Sequence, residues 1–309
     1  MLEIVKTNPN EPYRIFPYSE GGMGKSTFGA FAERPVVVAA EKGASRLRNR
    51  QGQPVDVIRG IDKYQDVVDA LKMLRNDKHD FKTAVIDSAT EIERMAHQLI
   101  IGDSGKSIIT VNKGFGAGAS ESDSMHKELI VLVEDLRINR DMNIIVTGHA
   151  QTKKVPDPSA AEDYDAFEPK LLKGVSGIWK EYVDAVFFIR LETILKTDEV
   201  MKARAVSDGT RIALTTMAPA HYAKNRFGLP PVMVFSLNFW DELQPYISGG
   251  IKQETAAEIK AEMDVLLLKV QDEATKKIIV ETIAKAGDNT TQLNQLRARL
   301  CELTKSKGE

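Results

Sequence analysis

The stretch from Tyr13 to Thr27, Tyr-Arg-Ile-Phe-Pro-Tyr-Ser-Glu-Gly-Gly-Met-Gly-Lys-Ser-Thr, constrains the fold of this chain more than any other. A short apolar segment at Ile15 and Phe16 enters a loop with three glycines, and a helix-like run from Phe28 to Ala32 leaves it. Strand, glycine-rich loop and helix start, in that order, make an anion cradle. Glycines let backbone N–H groups turn inward, the helix N-terminus adds its positive dipole end, and a lysine supplies a point charge. On this reading Glu20, Gly21, Gly22, Met23, Gly24, Lys25, Ser26 and Thr27 wrap the phosphates of ATP, and Ser26 also ligates Mg²⁺. The full pattern G-x-x-x-x-G-K-[ST] has glycine where this chain has Ser19.

Beyond the loop the chain alternates apolar runs with helix-periodic segments, the pattern of an α/β domain with a mainly parallel sheet. Val36 to Ala40 reads as a buried strand that ends at Glu41. A carboxylate at that place is a candidate base for orienting or deprotonating an attacking water, with a solvent-facing strand terminus as the alternative. Arg46, Arg48 and Arg50 beyond it read as a solvated basic surface. Val55 to Ile58 and the amphipathic stretch Tyr64 to Arg75 form a crossover unit. Thr83 to Asp87 is a further apolar strand ending in an acid, and Asp87 is the candidate to complete the Mg²⁺ shell. Without the phosphate loop, Asp87-Ser88 would mean only a turn or a helix cap.

After a helix from Glu91 to Ile101, residues Gly102 to Asp123 read as a long loop rich in glycine and serine. A helix from Ser124 to Arg140 feeds the strand Asn143 to Thr147, followed by Gly148-His149-Ala150-Gln151. His149 or Gln151 there either contacts a γ-phosphate and signals to a loop at Thr152 to Lys173, or satisfies the backbone. Ala185 to Ile189 and Arg211 to Thr215 read as a last strand pair around a charged turn. From Ile251 the composition turns to Ala, Glu, Lys, Leu and Gln, and apolar spacing predicts two or three helices with a break at Gly287. The division predicted is a core at 1–248 and a helical module at 249–309.

A formal net charge of −2 leaves no global basic field, so nucleic-acid binding would need local patches. A single cysteine, Cys301, rules out an intramolecular disulfide and fits a reducing compartment. No apolar run approaches the length of a bilayer span. The expectation is a cytoplasmic protein without a membrane partner.

Together these marks resemble the RecA-like ATPases, and most closely the phage nucleotide-binding proteins that act as single-strand annealing factors. The resemblance covers roughly residues 12 to 235. Val38-Ala39-Ala40-Glu41 is similar to the strand with the family's catalytic glutamate, and Val85-Ile86-Asp87-Ser88 resembles its Walker B strand. Thr147-Gly148-His149 looks like the sensor strand end, and Lys224-Asn225-Arg226-Phe227-Gly228 matches the Lys-Asn-Arg-Phe-Gly motif of RadA. The resemblance implies a RecA-like P-loop NTPase core in which Lys25, Glu41 and His149 serve catalysis. It also implies that Lys224 and Arg226 reach in trans into a neighbour's ATP site, and hence a homo-oligomeric ring or filament.

By the same resemblance the loops 102–123 and 150–173 are the candidate contacts for single-stranded DNA. The first offers Phe115 for stacking and Lys113 as a cation. The second offers Lys153, Lys154, Lys170 and Lys173 among Asp157, Glu162, Asp163, Asp165 and Glu168. The expected function is a Mg²⁺-dependent ATPase that promotes annealing or recombination in phage DNA metabolism, in the host cytoplasm. The alternatives are a helicase-like motor and a non-catalytic, nucleotide-dependent assembly factor, with the C-terminal helices docking a protein partner.

Overall fold

The apolar runs become strands whose alternate residues enter two different cores. Phe16, Tyr18, Val38, Ile86, Ile144 and Val146 face one layer, while Ile15, Val37, Val85, Ile145 and Phe187 face the other. Both faces of the sheet are therefore covered, which is why these strands read as unbroken apolar runs. The computed structural model describes residues 6, 8, 10–156, 163–192, 194–197, 203–206, 209–248, 256–268, 270 and 272–305. It divides into two compact units, Met1–Gly249 and Gly250–Glu309.

The first unit begins β1 (Arg14–Ser19), α1 (Lys25–Ala30), β2 (Pro35–Ala39), β3 (Asp56–Ile58), α2 (Tyr64–Asn76), β4 (Thr83–Asp87) and α3 (Ala89–Ile101). It continues with α4 (Ala117–Asn139), β5 (Asn143–Val146), β6 (Gly148–Val155), β7 (Tyr164–Pro169), α5 (Lys173–Tyr182) and β8 (Ala185–Leu191). It closes with β9 (Ile194–Thr197), β10 (Ala203–Val206), β11 (Arg211–Leu214), β12 (Lys224–Asn225), β13 (Val232–Val234) and α6 (Phe239–Ile247). The main sheet has the order β13-β11-β8-β1-β5-β4-β2-β3. From β8 to β3 all neighbours are parallel, and β11 and β13 run antiparallel at one edge.

Helices α2 to α5 cover one face through residues such as Leu71, Ile92, Leu129 and Trp179. Helices α1 and α6 cover the other through Phe28, Phe239, Trp240 and Leu243. The rings of Phe28 and Trp240 stack with centroids 4.7 Å apart, and Trp240 Nε1 donates to the Phe28 carbonyl at 2.9 Å. Burying Phe239, Trp240, Leu243 and Ile247 of α6 contributes on the order of 1.5–3 kcal/mol each. Helix α1 lies so close to β4 that a Cβ on Gly29 would stand 2.5 Å from Val85 Cγ1.

Pro17 has no N–H for the ladder, yet β1 is central. It falls where β1 passes from pairing with β5, at Ile15↔Ile145, to pairing with β6, at Tyr18↔Gly148. At that break Thr147 turns the other way and donates its N–H to the Ile86 carbonyl at 3.0 Å.

Three expectations need correction. The loop foreseen at 102–123 ends earlier, because α4 starts at Ala117. Its last part is a run of five residues with positive φ, Asn112, Lys113, Gly114, Phe115 and Gly116. The supposed loop from Thr152 to Lys173 is an antiparallel hairpin of β6 and β7, with Gln151↔Glu168 and Lys153↔Ala166 in register; Asp157 and Glu162 lie outside the described residues. The charged turn after β8 contains a hairpin of β9 and β10.

In the second unit α7 (Ala256–Leu267), α8 (Glu273–Ala286) and α9 (Thr290–Lys305) pack around Ile259, Met263, Leu293 and Leu300. Gly287, at φ +57°, ends α8 where an L side chain would be strained. Among the described residues no helix is long and apolar enough to cross a membrane.

Candidate phosphate-binding site

Parallel strands put their C-terminal ends on one edge of the sheet, and there four of them deliver polar residues. β1 runs into the loop Glu20 to Gly24, β2 into Glu41, β4 into Asp87 and Ser88, and β5 into Thr147. His149 enters β6 opposite Ser19. Because β5 is inserted between β1 and β4, Thr147 stands between the loop and the acids.

Gly24 adopts φ 97° at the start of α1, a left-handed geometry that glycine tolerates without cost. Lys25 is buried and folds back into the loop. Its Nζ donates to the Ser19 carbonyl at 3.1 Å, to Ser19 Oγ at 2.9 Å and to the Glu20 carbonyl at 2.9 Å. The serine that departs from the loop pattern is thus a partner of its lysine. Burial lowers the Lys25 pKa from its ordinary value, against the pull of Glu41 and Asp87.

Asp87 accepts from Ser26 Oγ at 2.7 Å and from Thr147 Oγ1 at 2.5 Å. Burial raises its pKa, and these two hydroxyl donors oppose the rise. A serine hydroxyl in contact with a strand-end carboxylate is a pair of hard oxygen donors, so the residues fit Mg²⁺. Glu41 accepts from His149 Nε2 at 2.9 Å and from Ser88 Oγ. The hydrogen bond from His149 is the main cause that holds the Glu41 carboxyl below its usual range; burial works against it. His149 is itself positioned by its N–H, which donates to Thr90 Oγ1 at 3.0 Å. A cavity of about 580 Å³ opens beside Glu41 and His149, lined also by Lys42, Thr90 and Arg94.

Lys25, Ser26, Glu41, Asp87 and His149 are therefore gathered at one edge, with Glu20, Gly21 and Gly22 exposed above them. Gln151 is not among them: its amide donates to the Pro169 carbonyl at 3.2 Å and ties the base of the hairpin. Lys224 and Arg226 lie elsewhere. Lys224 pairs with Val186 and Asn225 with Ala185, at the start of β8 and so at the opposite edge. Lys224 does not project outward, since its Nζ donates to the carbonyls of Lys180, Glu181 and Val183 at the end of α5. Arg226 is 56% exposed and meets Asp184 only at 3.5 Å, because Arg14 already holds that carboxylate at 2.6 Å.

The sequence reading missed Ser19, Ser88, Thr90 and Thr147 as partners. Ser88 and Thr147 adjoin strand ends, but only the strand order shows which acid each one meets.

A glycine-rich turn carrying lysine and serine, beside an acid from a strand two places away in a parallel sheet, defines a P-loop NTPase. A family model described as an AAA domain, AAA_24, matches residues 11–227, and the chain belongs to that family. No curated protein matches it.

Proposed function

We propose that this AAA-family chain is a Mg²⁺-dependent ATPase that binds single-stranded DNA and promotes annealing or recombination in phage DNA metabolism. The observation that carries the ATPase reading is the pairing of Glu41 with His149 at 2.9 Å beside the loop of Lys25. In water-mediated phosphoryl transfer the protein positions the nucleophile and stabilises charge. Lys25 exchanges its contacts with Ser19 and Glu20 for the terminal phosphates. Ser26 and Asp87 would hold Mg²⁺, which would supply neutralising charge to the phosphate oxygens. Glu41, held anionic by its donors, orients the attacking water and accepts its proton. His149 leaves or keeps Glu41 according to what fills the cleft, and its carbonyl accepts from Lys170 N–H at 2.7 Å, at the return of the hairpin.

DNA binding is supported by Phe115, whose side chain is fully exposed at 107% on the left-handed turn, next to Lys113. Holding non-glycine residues at positive φ costs on the order of 1 kcal/mol each, and the turn presents an apolar ring to solvent, where a base can stack on it. Lys153 and Lys154 stand exposed on the hairpin. Of the two cations proposed to act in trans, Arg226 is the one free enough to reach a neighbouring copy.

The test is ATP hydrolysis with Mg²⁺ at low salt, with and without single-stranded DNA, for the wild type, Lys25→Ala and Phe115→Ala. Expected is stimulation by DNA, loss of turnover by a factor of about a thousand or more in Lys25→Ala, and DNA affinity weakened about tenfold in Phe115→Ala. Wild-type turnover in Lys25→Ala overturns the ATPase reading. Tight ATP binding without turnover, indifferent to DNA, turns the reading to an assembly factor, which the full engagement of Lys25 by Ser19 and Glu20 favours.

A further inference from the structure

Arg211 opens β11 opposite Leu191, on the strand β8 that also pairs Ile189 with Ser19. This register carries Arg211 to the same edge as the phosphate loop and just past the level of Ser19. Its side chain then turns over the loop: a Cβ on Gly24 would stand 3.3 Å from Arg211 Nη1 and 3.5 Å from Cε1 of Phe235. The Arg211 carbonyl accepts from Phe235 N–H at 2.8 Å, so the guanidinium and the ring are held together. The ring is anchored in turn against Phe28 and Phe239, with centroids 5.9 and 5.0 Å away.

Among the described residues the Arg211 side chain has no hydrogen-bond or ion-pair partner, unlike Arg14, Arg137 and Arg94, which each grip a carboxylate. A guanidinium laid against Gly24 of the phosphate loop, with no counter-charge among the described residues, is arranged for an anion that arrives from solution.

The sheet order says which part of that anion. Glu41, Asp87 and His149 come from β2, β4 and β6, on one side of β1, and they mark the end where the terminal phosphate reacts. Arg211 and Phe235 come from the side of β8 and β11, the other flank. We infer that Arg211 binds, within the same chain, the phosphate of the nucleotide nearest the ribose, with the Phe235 ring beside it toward the base. This rests on the ATPase reading above. A guanidinium on a phosphate shared by ATP and ADP contributes equally to both, and loss of one charge-assisted contact weakens binding about tenfold to a hundredfold.

The experiment measures equilibrium binding of ATP and of ADP, together with KM and kcat, for wild type, Lys25→Ala, Arg211→Ala, Arg211→Gln and Arg211→Lys, with thermal melting as the fold control. Expected is the same tenfold to hundredfold weakening for ATP and ADP in Arg211→Ala and Arg211→Gln, an equal rise in KM, and partial recovery in Arg211→Lys. Wild-type affinities in the Ala and Gln variants overturn the inference, and a loss confined to ATP overturns it as well, because it moves Arg211 to the terminal phosphate. Wild-type protein that binds neither nucleotide overturns the ATPase reading, and this inference with it.

Discussion

Two glutamates in this molecule are displaced from their ordinary behaviour in opposite directions. Glu41 sits in the open cleft at the sheet edge, where His149 and Ser88 both donate to it, and its pKa is lowered. Glu93 sits on α3, buried under the helix layer, where the Leu172 N–H is its donor at 2.8 Å and Asp123 is near. Burial pushes Glu93 up to about 7. What separates the two is the supply of donors against the cost of desolvation.

The same contrast runs through their surroundings. At the sheet edge the hydroxyls of Ser26, Ser88 and Thr147 each donate to a carboxylate. In the helix layer Ser122 Oγ, Ser176 Oγ and His126 Nε2 are buried without a partner among the described residues. His126 keeps one contact, accepting from Trp179 Nε1 at 3.1 Å, and burial drives its pKa down to about 3.

The largest effect expected from this contrast is on turnover. Glu41→Gln keeps the size and hydrogen bonding of the side chain but not its basicity, so kcat should fall by about a hundredfold to ten-thousandfold while ATP still binds. His149→Ala removes the main cause of the depressed pKa, so the acid limb of the pH–rate profile should move to higher pH than in wild type. A Gln variant with wild-type kcat would remove Glu41 from the chemistry, and an unmoved acid limb in His149→Ala would break the link between the two residues.

Glu93 provides the second test, on stability. Its folded pKa lies above its unfolded one, so the folded state holds the proton more tightly. The stability this brings is fully present below the ordinary carboxylate pKa and is lost as pH rises through about 7. At pH 8 the ionised buried group then costs up to about 3 kcal/mol. Glu93→Gln retains an acceptor for the Leu172 N–H and carries no charge. Urea unfolding at about pH 6.5 and 8.5 should show wild type less stable at the higher pH and the variant nearly level. His126, with its lowered pKa, acts in the other direction and removes stability as pH falls below about 6.5, so the comparison does not go below that point. Equal slopes for the two proteins would mean that Glu93 is not the group responsible.

The sheet was largely legible, because buried parallel strands announce themselves as apolar runs, and Glu41 and Asp87 stand where those runs stop. The hairpin of β6 and β7 was not: Lys153, Lys154, Asp165 and Glu168 give it the composition of a loop, and past His149 the strand β6 pairs with β7 rather than with β1. The partners of the site side chains were not legible either. Thr147 meets Asp87 only because β5 is inserted beside β4, and Ser19 meets Lys25 only because the lysine folds back. Phe115 was noticed as an aromatic residue, but its exposure depends on a run of positive φ that includes asparagine, lysine and phenylalanine as well as glycine.

Lys224 carries the smallest effect and applies the donor-and-burial contrast to a cation. The motif around it suggests a pair of projecting charges, yet Lys224 spends its three donors on carbonyls at the C-terminal end of α5 while Arg226 stays exposed. A lysine in that place satisfies carbonyls that the helix leaves open and meets the negative end of its dipole. Lys224→Ala should therefore destabilise the fold by about 1–2 kcal/mol, read as a shift in urea midpoint with unchanged m-value. Arg226→Ala should leave that midpoint nearly unmoved, because its ion pair is long and exposed. Under the oligomeric reading the DNA-stimulated part of ATP turnover responds the other way, falling in Arg226→Ala. If Lys224→Ala melts like wild type and loses stimulation instead, the lysine leaves the end of α5 in the assembled state and acts between copies after all.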